Sequence, residues 1–393
     1  MANGLTDGVA IVWPHRPPVG IPVAPSAAFG GIVFTGRHAQ YTGADTWYPS
    51  WASDGDLYSP WTDGDVHGTV SVSYNRDAAL ATTGQARIVG DDPLALDVVG
   101  LGVYPGDPTP YGGRYPCASL VHDGVWYYGT YTLDDIEGSC GNWCRLGPFV
   151  GFRYSTDGGR RWIDTPHTPA SPLFGESGKG GARVRIGSPH VVDFGRNMEQ
   201  SPDGKVYLVG HGTSRPGGFA SWVAGDEIYL IRVTPSIETM NDAATYEFFA
   251  GHDAGGQAIW SRDRGAMRPL LTWRGQLGCV TITYNAALRT YLMCVSRPTD
   301  GFTSIGTFDT MLLQADTLTG PWALIQYLPR FGPQAYFANI PSKFIAADGR
   351  RMWLCYSANF SRLTPGTRVG PGEDQPPGSD YALCVHEFYL APA

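Results

Sequence analysis

Between Asp45 and Gly68 the chain crowds together Asp45, Asp54, Asp56, Asp63 and Asp65 with Trp47, Trp51, Trp61, Tyr48 and Tyr58. Aromatic faces beside carboxylates suit a sugar, because the rings stack on C–H faces while the carboxylates take hydroxyl hydrogen bonds. Trp51 and Asp54 are therefore candidate sugar contacts. The plainer use of the same residues is blade core for the tryptophans and turn capping for the aspartates. His67 ends the stretch on a Gly-flanked loop, where it is a candidate proton-transfer group or simply a solvated histidine.

Further candidates lie downstream. In "GGRYPCASL", Arg114 and Tyr115 precede an apolar strand, and an arginine at a converging centre can clamp a carboxylate in bidentate fashion. In "RVRIGSPHVVDFGRNMEQSPDG", His190 heads an apolar run flanked by Arg183, Arg185 and Asn197. "GHGTSRPGG" adds His211 and Arg215, and "AGDEIYL" adds Asp226 and Glu227. Oxygen donors of this kind favour calcium or magnesium over zinc. "QAYFANIPSKFI" supplies Gln334, Tyr336, Asn339 and Lys343 in apolar surroundings that demand hydrogen-bond partners.

The elements that must hold these residues are strands. No segment sustains helical periodicity, whereas short Val/Tyr/Trp-rich runs recur between D-G and Gly-Pro punctuation. They come in a repeated order: an apolar strand, a D-G turn, then an aromatic strand, as in "CASLVHDGVWYYGTY", "SPDGKVYLVGHG" and "SKFIAADGRRMWLCYSANF". Radial repetition of this kind indicates an all-β fold, a β-propeller, spanning 1–393 as a single domain. About five units can be counted. Strands left over at Ala86–Val103 and Ala258–Leu271 would raise the count to seven.

"YSTDGGRRW", Tyr154 to Trp162, fits S-x-D-x-G-x-x-W and resembles the Asp box of sialidase-type propellers. Its logic is local. Asp157 accepts backbone N–H bonds, the glycines permit positive φ, and Trp162 packs beneath the turn. The motif is thus architectural, and chemistry belongs at the hub where innermost strands begin.

Composition narrows the partners. Hydrophobic residues make up 42% and charged residues 16%, enough for a large core, and 52 glycines with 31 prolines fit a turn-rich β-protein. A net charge of −8 gives no field for nucleic acid, and no run is long enough to span a membrane. The opening residues lack a hydrophobic signal core, yet a carbohydrate-active protein of this type is expected to be secreted or periplasmic. Of the seven cysteines, Cys140 and Cys144 in "CGNWC" are spaced for a local disulfide, and the others sit in apolar runs as buried thiols.

"ADTWYPSWASDGDLYSPWTDG", "GRYPCASLVHDGVWYYGTY", "VDFGRNMEQSPDGKVYLVGHG" and "NIPSKFIAADGRRMWLCYSANF" resemble, in order, a propeller polysaccharide lyase family typified by L-rhamnose-α-1,4-D-glucuronate lyase, which acts on gum arabic side chains. The resemblance implies seven blades, a calcium ion near a central pocket, and a uronate-containing glycan as partner. It further implies β-elimination that frees a sugar, L-rhamnose, from O4 of a glucuronate. His67, Arg114, His190 and Tyr115 become the catalytic candidates, and Trp51, Asp54, His38, Arg185, His211 and Asn339 the substrate contacts. Asn197 and Glu227 become the metal ligands, with Glu227 standing where the family pattern has glutamine. Such a reaction needs the uronate charge neutralised while a base removes the C5 proton and an acid protonates O4.

Two rivals stand beside it. A glycoside hydrolase would use two carboxylates about 5–10 Å apart, drawn from Asp45, Asp54, Asp56 and Asp63. A non-catalytic glycan-binding propeller would share the fold without turnover.

Overall fold

The computed structural model describes residues 8–74, 80–134, 144–179, 182–299, 306–358 and 376–393. The repeating units become five twisted antiparallel sheets around a central axis. Their hairpins follow the D-G punctuation. Asp123 and Gly124, both at positive φ (48° and 79°), turn Gly113–His122 into Val125–Asp134, and two successive positive-φ residues match the right-handed twist of the flanking strands. Among the described residues, helix is confined to 3-10 turns such as Arg196–Met198 and Ala243–Thr245.

The first blade holds Gly43–Asp45, Leu57–Val66, Ala81–Val89 and Asp97–Gly106, with Ser50–Trp51 continuing its inner edge. Gly113–His122, Val125–Asp134 and Arg145–Ser155 form the second. The third runs outward from His190–Val191 through Val206–Gly212, Glu227–Val233 and Glu247–His252 to Ala258–Ser261. Val280–Asn285, Thr290–Pro298, Phe308–Ala315 and Ala323–Leu328 make the fourth. The fifth pairs Tyr336–Asn339, Arg351–Ser357 and Leu383–Pro392 with the N-terminal strand Phe29–Tyr41, so the two ends of the chain close the ring.

The propeller has five blades, and the seven implied by resemblance are corrected. The leftover strands do not build further blades. Ala81–Val89 and Asp97–Gly106 are the outer strands of the first blade, and Ala258–Ser261 edges the third. These strands extend existing sheets outward, so they need no D-G-aromatic unit of their own.

Hydrogen bonds join each innermost strand to the next around the hub. The Val121 amide donates to Ser50 Oγ (2.8 Å) and the Ala118 amide to the Pro189 carbonyl (2.9 Å). The Asp193 amide donates to Ile282 (2.9 Å), while Thr281 and Thr283 hydroxyls donate to the Ala338 and Ile340 carbonyls (both 2.7 Å). Asn339 Nδ2 donates to the Trp47 carbonyl (3.0 Å) and closes the circuit.

The "YSTDGGRRW" motif takes its expected structural place on the outer strand of the second blade. Asp157 accepts from the Arg161 amide (2.9 Å), and the Gly159 amide donates to Ser155 Oγ (2.9 Å). Trp162 packs edge-on against Trp126 and Tyr128.

Thr283→Val removes a buried donor and leaves the Ile340 carbonyl without it. Its expected cost is about 1–3 kcal/mol, seen as a lower urea midpoint with an unchanged slope.

Candidate active site

All five innermost strands run in the same sense, so the hub has an upper end, where they begin, and a lower end carrying the D-G hairpins. At the upper end Asp45 and Asp63 come together on two paired strands of the first blade. Asp45 faces Thr62 across the ladder after a register shift, and Asp63, the next residue, is near enough for its charge to act on the Asp45 carboxyl. Tyr336 donates to Asp45 Oδ2 (2.7 Å) and Thr46 to Oδ1 (2.8 Å). Asp63 accepts from the Ser73 amide and hydroxyl (both 2.7 Å). The Tyr381 hydroxyl donates to the Asp63 carbonyl (2.5 Å). Thr46 and Asp63 hold φ of 66° and 46°, left-handed backbone that costs free energy in non-glycine residues.

Burial, and then the charge of Asp63, push the Asp45 carboxyl up to about 8. Burial raises Asp63 as well, opposed by its two bonds from Ser73. Tyr115, Tyr336 and Tyr381 are all pushed upward, burial being the main cause, so they remain protonated donors around the pair. The arrangement holds one carboxyl as an acid at neutral pH beside a second carboxyl with a different set of bonds, the asymmetry from which acid and base roles are made. Trp222 stands over the hub here, against Phe308 (5.6 Å), Tyr336 (5.3 Å) and Phe337 (5.7 Å).

The lower part of the axis holds a small pit of about 30 Å³ lined by Tyr48, Ser119, His190, Thr283 and Asn339. His190 lies with its ring 3.9 Å from that of Tyr48. Burial, then the nearby His211, depress His190 to about 3, so it is neutral at physiological pH. His211, depressed by burial to about 4, meets the Ser221 carbonyl through Nε2 (2.8 Å).

The sequence candidates scatter around this frame. Tyr115, Asn339 and His190 reach the hub, and His211 lies near His190 on the next strand outward. His67 is exposed in the two-residue turn after Leu57–Val66, at the upper end but not in the cluster. Arg114 starts the innermost strand of the second blade, yet its side chain turns away from the axis toward Thr130 (3.0 Å). Trp51 and Asp54 belong to a lower-end hairpin, where the Trp51 indole donates to the Gly55 carbonyl (3.2 Å) and Asp54 accepts from the Asp56 amide (3.0 Å). His38 is on the outermost strand of the fifth blade, stacked on His386 (5.1 Å). Arg185 is committed to Glu176 (3.3 Å) and the Arg264 carbonyl (3.0 Å). These last placements correct the expectation that those residues gather at the hub: side chains on successive strand residues leave opposite faces, so proximity in sequence to an inner strand does not aim a residue at the axis.

The two residues expected to hold calcium do not come together. Asn197 is near the lower end, exchanging hydrogen bonds with Asp123 (both 2.9 Å). Glu227 is at the upper end, accepting from the Ser214 amide (2.7 Å), its hydroxyl (2.9 Å) and Tyr229 (2.5 Å). Opposite ends of one blade cannot share an ion, and among the described residues no three His, Cys, Asp or Glu side chains gather to hold one. Cys144 is disulfide-bonded, and Cys140 lies outside the described residues. Tyr381 is a hub residue that sequence spacing does not reveal, since it arrives from a distant loop.

No known protein family and no curated protein matches the chain. Solved structures do resemble it. The catalytic domain of a Coprinopsis cinerea GH62 α-L-arabinofuranosidase is 11% identical, with 97% of this chain and 98% of that one covered and a TM-score of 0.45. The Podospora anserina α-L-arabinofuranosidase PaAbf62A, in complex with cellotriose, is 12% identical (95% and 96% covered, TM-score 0.44). A GH43 β-xylosidase/α-arabinofuranosidase from a compost metagenome, in complex with xylotriose and in calcium-free form, is 16% identical (89% and 92% covered, TM-score 0.42). The lyase assignment is corrected by these likenesses, which are to glycoside hydrolases. The side chains agree with the correction: Arg114 turned off axis, His67 exposed and His190 neutral do not assemble a cation with a base at the hub.

Because Asp45 keeps its proton above the ordinary 3.8, the folded state binds more protons than the unfolded chain from about pH 4 to about pH 8, and this group's contribution to stability falls across that window. Asp45→Asn should flatten the pH dependence there by up to about 1.4 kcal/mol per pH unit. Urea unfolding of both proteins at pH 4, 6 and 8 measures it. Parallel curves would remove Asp45 as the titrating group.

Proposed function

We propose that the chain is a glycoside hydrolase whose acid–base centre is the Asp45–Asp63 pair at the upper end of the hub. The observation that supports this most is the buried Asp45 carboxyl, proton-retaining and hydrogen-bonded by Tyr336 and Thr46, beside a second carboxyl on the adjacent strand. In this reading Asp45 gives its proton to the glycosidic oxygen as the C1–O bond breaks. Asp63 acts on the opposite side, as base toward water or as nucleophile. The Tyr336 and Tyr381 phenols bond to the Asp45 carboxyl and the Asp63 carbonyl, and Trp222, packed edge-on against Phe308 and Tyr336, walls the pair with apolar surface.

The test is hydrolysis of a panel of arabino- and xylo-oligosaccharides and gum arabic, read as reducing ends released. Asp45→Asn and Asp63→Asn should each lose about 10²-fold or more in kcat, with glycan binding by calorimetry retained. The wild-type rate should decline as pH rises through about 8, where Asp45 gives up its proton. Binding without turnover by the wild type would leave a glycan-binding propeller. Full activity in both variants would place the chemistry elsewhere.

A further inference from the structure

Off the axis, in the cleft between the first and second blades, two arginines of the second blade enter the same small space. Arg153 is 4% exposed and Arg114 9%. The Arg153 guanidinium carbon sits over Tyr128 (3.8 Å to the ring centroid), with Tyr104 at 4.5 Å and Trp162 at 4.7 Å. Its terminal nitrogens donate to Thr83 Oγ1 (3.0 Å) and Gln85 Oε1 (3.3 Å), and its Nε finds no partner. Arg114 donates through Nε to Thr130 Oγ1 (3.0 Å). Its guanidinium rests on Gly106, where an added Cβ would come within 2.9 Å of Nη1.

These partners are hydroxyls, an amide and rings, none of which carries a full negative charge. The carboxylate lining the cleft is Asp164, half exposed and 4.0 Å from Arg114. Asp107 acts on Arg114 only at longer range, beside Tyr104. Two guanidiniums therefore face one weakly engaged carboxylate in a largely dry cleft. Burying like charges without a counter-charge is costly, and the protein's own groups offset only part of that cost. The free space is about 10 Å³ for the centre of a water-sized body, room for roughly one such occupant.

We propose that this cleft binds one small monovalent anion, halide or carboxylate in size, held jointly by Arg114 and Arg153. The site is independent of the hub carboxyls, and its occupant neutralises the surplus charge between the first two blades. The aromatic faces around Arg153 fix the guanidinium plane, and Gly106 lets Arg114 close from the other side.

The experiment is thermal unfolding of the full chain at constant ionic strength, with gluconate replaced stepwise by chloride, bromide or formate. A saturable rise of about 2 °C or more is expected. Gly106→Ala, which keeps both charges but displaces the Arg114 head, should abolish the rise, as should Arg114→Gln. A response to formate but not to halides identifies a carboxylate as the occupant and upholds the site. Crystals of the wild type grown in bromide provide a readout that no variant's folding can compromise, with an anomalous peak expected between the two guanidiniums. Flat titrations together with no peak overturn the proposal, as does an equal rise in Gly106→Ala.

Discussion

The circuit of hydrogen bonds between innermost strands is the constraint on which the rest of this propeller depends. Each blade is a self-contained sheet, so without links at the hub the sheets would meet only through side-chain packing on their faces. The links use backbone amides, carbonyls and the uncharged side chains of Ser50, Thr281, Thr283 and Asn339. Neutral groups can be buried once paired, whereas charged ones carry a desolvation cost of several kcal/mol per ion. The hub is therefore buried as well as tied together. That burial is what makes Asp45 hold its proton and His190 lose one. One physical condition thus sets both the closure of the ring and the protonation of the groups within it.

Strain is concentrated at the upper end of the first blade. Thr42, Thr46, Asp63 and His67 all hold positive φ, and none is glycine. The surrounding ladder over-determines these conformations, since Asp63 is fixed by Ser73 and Thr46 by its bond to Asp45. Unfavourable backbone persists at such a place only when the neighbouring structure holds it there. Here it falls on Asp63 and beside Asp45, the two carboxyls whose charges act on each other.

Much of the architecture is legible in the sequence because it is local. D-G turns, alternating aromatic strands and the Asp box each depend on residues within about ten positions of one another, and the count of five complete units matches the five sheets. What resemblance added to that count, two further blades, is not supported by the strand pairing. The site is only partly legible. The aspartates of the first blade stand out, but which of them face the axis depends on a ladder shift between Gly43 and Asp45 that no spacing announces. Arg114 and Tyr115 are neighbours in sequence that leave opposite faces of one strand, one for the interblade cleft and one for the hub. Tyr381 approaches Asp63 from 318 positions away, a contact set by ring closure alone.

The closure of the fifth blade by Phe29–Tyr41 has a consequence for biosynthesis. This strand leaves the ribosome well before its partner Leu383–Pro392, which lies more than 340 positions further along. At a synthesis rate of about 5–20 residues per second, the early strand waits on the order of tens of seconds for its mate. During that time it presents an unsatisfied edge with Phe29, Ile32 and Phe34 that are buried in the finished ring. Through that interval the nascent chain is open to intermolecular pairing here, and a chaperone that shields extended apolar segments would find this stretch available.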